Sequence, residues 1–132
     1  MKEVVDTRFL VEHFYSNQIE TRRKTSKKLE GLIKNKEGLL PTIAICEAVQ
    51  VTCEKRGKEE AETRFSSLAR SRLEIQNLNQ ETAKVAALLK CRYKGTPIGD
   101  CIIAATAIIN NARVLSDDPH FDTIKEIRRS WI

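Results

Sequence analysis

Two apolar periods alternate along this 132-residue chain, and that alternation constrains its fold more than any other feature. Short runs with strand character are separated by longer stretches of helical spacing. Glu3, Val4 and Val5 read as a short strand. Residues 8–14 place Phe9, Leu10, Val11 and Phe14 at helical intervals. Asn17 and Glu20 resemble a capping box that opens a charged helix reaching about Lys34, with Leu29, Leu32 and Ile33 marking its buried end. Residues 39–42 form a second strand candidate. Residues 43–55 read as a helix closed by Gly57. Residues 58–71 read as another, with Phe65, Leu68 and Ala69 inward. Residues 73–78 return to period two. Asn79 then caps a helix to about Tyr93, with Val85, Ala86, Leu88 and Leu89 inside. Thr96 and Pro97 open a helix to about Asn111. Residues 113–115 are a strand stopped by "SDDP". In the tail, Ile124, Ile127 and Trp131 have helical spacing, but the segment is short enough for an edge strand, and both readings stand. Strands separated by helices predict an α/β fold: a three-layer α/β/α sandwich with a short, mostly parallel central sheet. No linker or repeat divides it, so one domain is expected over residues 1–132.

Hydrophobic residues make up 41% of the chain, enough for a core and too many for a disordered segment. The longest strongly apolar stretch, residues 101–109, is too short to span a bilayer. The start, "MKEVVDTRF", has no secretory apolar region, so a cytoplasmic protein without membrane attachment is expected. Cys46, Cys53, Cys91 and Cys101 form no CxxC pair and match no zinc spacing, which predicts reduced, buried thiols. The net charge is +5. Its excess is concentrated in "TRRKTSKK", where Arg22, Arg23, Lys24, Lys27 and Lys28 occur with no acid, and in Lys125, Arg128 and Arg129 near the end. Such clusters suit a polyanionic partner or a solvated helix face. The low aromatic content, 5%, argues against a base-stacking sheet platform.

Certain acids stand in unusual company. Asp6 ends the Val4–Val5 run, where an acid reads either as a helix N-cap or as a group at the carboxyl end of a strand, where α/β sheets bind ligands. Glu47 lies in "IAICEAV", apolar on both sides, which predicts a largely buried helix and a costly unpaired carboxylate. Asp100 opens the most apolar helix, with Gly99 beside it leaving room for close approach. Asp117 and Asp118 follow the strand at 113–115. No Lys or Arg lies in the apolar stretches holding Glu47 and Asp100. If Asp6, Glu47, Asp100 and one of the 117/118 pair converge, the counter-charge their chemistry asks for is a hard divalent ion, Mg²⁺ or Mn²⁺.

The ordered pieces "VVDT", "PTIAICEAV", "IGDCIIAATA" and "VLSDDPHF" resemble the PIN-domain ribonucleases, from about Val4 to Trp131. The third piece is similar to that family's D-x-x-I-A-A-x-A helix, and the fourth to its [TS]-x-D-x-x-F turn. The resemblance implies a metal-dependent endoribonuclease with Asp6, Glu47, Asp100 and Asp118 as catalytic metal ligands. Asp117 remains an alternative, and Thr7 and Ser116 would orient the acids through their hydroxyls. It implies Mg²⁺ or Mn²⁺ as cofactor and RNA as substrate, with Arg22, Arg23, Lys24, Lys27 and Lys28 holding flanking phosphates. It also implies a homodimer, and an antitoxin protein as partner if the chain is a VapC-like toxin. Two departures are mild: Ser116 stands where Thr is usual, and Cys101 where Ala is common. His120 is expected to sit in the turn that seats Phe121, rather than to act as a base.

Other readings fit less well. A haloacid-dehalogenase-type phosphatase needs a second Asp where Arg8 stands. A phospho-receiver needs an acid pair at the first strand end and a later Lys. A PIN-like module that binds RNA or protein without cutting, and a nuclease of RNA processing rather than a toxin, remain as alternatives.

Overall fold

The computed structural model describes residues 1–132. Five strands form one sheet: β1 (Glu3–Val5), β2 (Gly38–Pro41), β3 (Glu74–Gln76), β4 (Arg113–Leu115) and β5 (Arg129–Ser130). Their order is β3-β2-β1-β4-β5, and every pairing is parallel. The sheet is therefore wholly rather than mostly parallel, and the ambiguous tail supplies its last edge strand. Six helices cover it: α1 (Thr7–Tyr15), α2 (Ile19–Lys34), α3 (Thr42–Arg56), α4 (Lys58–Ala69), α5 (Gln80–Arg92) and α6 (Ile98–Ile109).

The pleat splits the core into two layers. Val4, Leu39 and Val114 point to one face, where they meet Ala86 and Leu89 of α5 and the inner side of α6. Val5, Leu40 and Leu115 point to the other, against Phe9, Leu10, Leu32, Ala44, Ala48 and Leu68 of α1 to α4. Within each strand, neighbouring apolar residues thus serve opposite faces, which is why the strands read as continuous apolar runs. The chain lays down β1, β2 and β3 in one direction, then returns to place β4 on the other side of β1. In such sheets the crevice outside the carboxyl ends of the two strands flanking the reversal is the natural ligand site. Here those strands are β1 and β4, and Asp6 and Ser116 are the residues that follow them.

Several local expectations are corrected. Asn17 caps nothing: α2 begins after Gln18 without a side-chain cap, and Gln18 N–H instead donates to the Ser16 hydroxyl. Asn79 does cap α5, accepting from Thr82 N–H at 2.9 Å. Phe65 and Leu88 are exposed, as is Ala69, since their helices bury narrower stripes than the sequence suggests. α3 is not buried all round: Ala44, Ala48 and Thr52 face inward while Cys46 lies exposed on the far side. Of the four free thiols only Cys101 is buried.

Candidate metal centre

Asp6 is both things its sequence position allowed. It is the N-cap of α1, its Oδ2 accepting from Arg8 N–H at 3.3 Å. The same oxygen accepts from the Ser116 hydroxyl at 2.7 Å, across the β1–β4 seam. The side chain is almost wholly enclosed, and that burial raises its pKa above the ordinary carboxylate range; the bond from Ser116 partly offsets it, and the charge of Glu47 adds to it.

Glu47 projects from the second turn of α3. Its Oε1 accepts from the Thr7 hydroxyl at 2.6 Å. Thr7 thus orients Glu47 rather than Asp6: as the first residue of α1 it faces α3, while Ser116 is already in place for Asp6. The other Glu47 oxygen lies against Gly99, where an added Cβ would come within 2.6 Å of it. The carboxylate therefore rests on the bare first turn of α6, whose amino end has no side-chain cap and carries partial positive charge. Asp100 follows on the same turn. Its pKa is raised to about 6, first by burial and then by the charges of Asp6, Glu47 and Asp118.

Asp118 caps the short 3₁₀ turn Pro119–Thr123, accepting from His120 N–H at 2.9 Å and facing His120 Nδ1 at 2.7 Å. Burial pushes its pKa up, but these bonds outweigh it and hold the carboxyl below its usual range. Asp117 turns away. It forms a two-point ion pair with Arg8 Nε and Nη2. Phe121 is seated in the core, as expected, but His120 itself is exposed and aimed at Asp118.

Asp6, Glu47, Asp100 and Asp118 thus share one end of the sheet, and three of them act electrostatically on the fourth. They do not close on a common point: no three His, Cys, Asp or Glu groups stand where one ion could be held. The hydrogen bonds explain why. Ser116, Thr7 and His120 each hold one acid in its own place. As a donor set, four carboxylates and no thiol fit a hard ion such as Mg²⁺ or Mn²⁺.

The basic cluster of α2 is not brought to the acids. Arg22 and Arg23 line a cleft with His13, Phe14 and Arg64. Lys24, Lys27 and Lys28 line a separate cavity with Glu3 and Trp131, toward the amino end of β1. Sequence reasoning missed the bonds of Arg8 and His120 to the acid pair, although "DTR" and "DDPH" placed them close in the chain. Arg129, named in the sequence as part of a basic cluster, instead binds Ser116 O at 3.2 Å and pairs with Asp122. That contact joins residues distant in sequence and left no local signal.

The PIN domain family model matches residues 4–127. Among solved structures, the chain is similar to VapBC2 from Rickettsia felis bound to a promoter DNA fragment, at TM-score 0.79 and 21% identity over 99% of this chain and 98% of that one. It is similar to FitAcB from Neisseria gonorrhoeae, at TM-score 0.73 and 18% identity over 96% and 95%. It is also similar to the Mycobacterium tuberculosis sarcin-ricin-loop-cleaving toxin VapC20, at TM-score 0.73 and 13% identity over 92% and 94%. No curated protein matches the sequence. No helix is long and apolar enough to cross a membrane. With a family model covering nearly the whole length, the chain belongs to the PIN domain family.

Proposed function

We propose that this protein is a divalent-metal-dependent endoribonuclease that hydrolyses RNA phosphodiesters. The observation that carries the reading is the placement of Asp6, Glu47, Asp100 and Asp118 at the carboxyl end of the sheet, where Ser116 and Thr7 fix Asp6 and Glu47 and the charges of Asp6, Glu47 and Asp118 act on Asp100. Asp6, Glu47, Asp100 and Asp118 would hold Mg²⁺ or Mn²⁺; Asp117, engaged by Arg8, is the lesser candidate. When bound, the ion acidifies a water and offsets charge developing on the phosphoryl oxygens. The protein's own part is positional. Ser116 fixes the Asp6 carboxylate, Thr7 fixes Glu47, and Gly99 lets Glu47 lie beside Asp100. His120 holds Asp118 at the mouth of the cleft.

In the same reading the chain is a cytoplasmic toxin with a protein antitoxin, supported by its likeness in fold to the toxin–antitoxin complexes, and it forms a homodimer. Exposed Ile75, Leu78, Leu88 and Ile98 leave apolar side chains for protein contacts. The deciding experiment is cleavage of total RNA with Mg²⁺, Mn²⁺ or EDTA, for wild type and Asp6→Asn. Cutting with the ions, and none in EDTA or with Asp6→Asn, is expected. Equal cutting by wild type and Asp6→Asn would remove the assignment. Co-expression with a neighbouring small DNA-binding protein, expected to relieve growth arrest, tests the toxin role.

A further inference from the structure

The acid cleft extends beyond the four carboxylates. The loop joining α5 to α6 forms its far wall: Tyr93, Lys94, Gly95, Thr96 and Pro97 face Asp100, Asp118, His120 and Thr123 across a space of about 540 Å³. That is within the roughly 300–1,000 Å³ of small-ligand sites, and Lys94, Thr96, Asp100, Asp118, His120 and Thr123 bring polar side chains to it. The wall is held firmly. The Lys90 ammonium donates to Lys94 O and Thr96 O, both at 2.7 Å, and Thr96 N–H donates to Tyr93 O at 2.9 Å. The Tyr93 hydroxyl is anchored to Glu126 at 2.6 Å.

Two cations beside this cleft are committed elsewhere. Lys90 is spent on the loop carbonyls, and Arg92 pairs with Glu126. Lys94 is exposed, lines the cleft and enters no ion pair. Gly95 beside it has open space where a side chain would be, so a strand can approach the backbone closely. A polyanion entering between Asp100 and Asp118 meets like charge, and Lys94 is the only ammonium or guanidinium lining that space.

We propose that this cleft seats the RNA strand next to the cut phosphodiester, and that the Lys94 ammonium holds a flanking phosphate. This rests on the ribonuclease reading above and names the substrate-positioning residue of that site. The α2 lysines, at the other end of β1, hold no phosphate of the strand being cut. Because Lys90 fixes the loop beforehand, little ordering is left to oppose binding.

The test uses a fluorescein-labelled single-stranded RNA, bound in EDTA and followed by anisotropy, and cut in Mn²⁺ to obtain kcat and KM. The proteins are wild type, Lys94→Ala, Lys94→Arg and Lys27→Ala. Lys94→Ala should weaken binding and raise KM by about three- to tenfold, leave kcat within about twofold, and lower the slope of log affinity against log salt by about 0.7. Lys94→Arg should restore both constants, and Lys27→Ala should behave as wild type. If wild type cuts RNA while Lys94→Ala keeps its affinity, KM and salt slope, or if Lys27→Ala carries the loss instead, the assignment of Lys94 is overturned and the ribonuclease reading survives. If wild type neither binds nor cuts RNA, both fall together.

Discussion

The Ser116 hydroxyl donates to Asp6 Oδ2 at 2.7 Å, joining the ends of two neighbouring strands through a side chain that is wholly buried. A hydrogen bond to a buried carboxylate contributes about 1.5–3 kcal/mol, so Ser116→Ala should lower stability by that order in urea unfolding. The bond also favours the ionised form of Asp6, whose pKa burial already raises. Removing it should move the acid limb of the pH–rate profile to higher pH, and Ser116→Thr should bring it back. An unshifted limb in Ser116→Ala would show that Asp6 does not depend on this hydroxyl.

Asp100 ties the site to pH. Its pKa lies near 6 in the folded protein against an ordinary 3.8, so between those values the folded state binds more protons than the unfolded one. Stability of the metal-free protein therefore falls as pH rises from about 4 to about 6, and stays lower above that. Asp100→Asn removes the charge and should stabilise the protein in EDTA at pH 7.5 by about 1–2 kcal/mol, a figure reduced for the solvent screening of a half-exposed group. At pH 4 it should give almost nothing. Thermal melts at both pH values check this, and a stabilisation equal at pH 4 and 7.5 contradicts it. Mn²⁺ should raise the wild-type melting temperature and leave Asp100→Asn nearly unmoved.

Much of this was legible in the chain because the relevant signals are local. Val4 and Val5 sit between Glu3 and Asp6 and serve both faces of the sheet, which the continuous apolar run implied. Asp100 and Gly99 share one helical turn, and Glu47 stood out against its apolar neighbours. What stayed hidden depends on partners far away in sequence. Thr7 lies next to Asp6 in the chain, yet the start of α1 aims its hydroxyl at Glu47, 40 residues on. The spacing of the Ser116–Phe121 turn favoured Asp118 over Asp117, and what the letters did not show is that Arg8 engages Asp117. Phe65 and Leu88 lie exposed although they fall on helical apolar stripes, because such a stripe says nothing about whether another element covers it.

Gly99 separates fold from site. In Gly99→Ala the new methyl would lie 2.6 Å from Glu47 Oε2 and 3.4 Å from its Cδ. The carboxylate is the far end of a flexible side chain and can swing aside, and Ala is favoured over Gly in a helix by up to about 1 kcal/mol. The melting temperature should therefore hold or rise slightly. Glu47, however, would leave both Thr7 and Asp100. Mn²⁺ affinity by calorimetry should fall about tenfold or more, as when ligand-supporting groups are altered, and RNA cleavage should fall with it. Unchanged Mn²⁺ affinity would mean that Glu47 plays no part in holding the ion.

Lys28 and Glu3 supply a contrasting case, in which a basic residue that reads as a phosphate contact is paired inside the fold. Glu3 is only 7% exposed, and its carboxylate accepts from the Lys28 ammonium and the Ser130 hydroxyl. It thereby links β1, α2 and the edge strand β5, next to Trp131. Lys28→Ala would leave that carboxylate with the hydroxyl alone. Breaking a fully buried pair costs about 3–5 kcal/mol; Lys28 is about one-third exposed, so a loss of about 1–3 kcal/mol is expected here. Lys24→Ala, on the same helix face and without a paired carboxylate, should stay within about 0.5 kcal/mol of wild type. Trp131 is the chain's single tryptophan and packs edge-on to Phe9 at 6.0 Å between ring centres, so its fluorescence reports directly on this corner during urea unfolding. A Lys28→Ala midpoint that coincides with that of Lys24→Ala would show that the pair contributes no stability. A lower midpoint with wild-type KM for RNA would assign Lys28 to the fold rather than to the substrate.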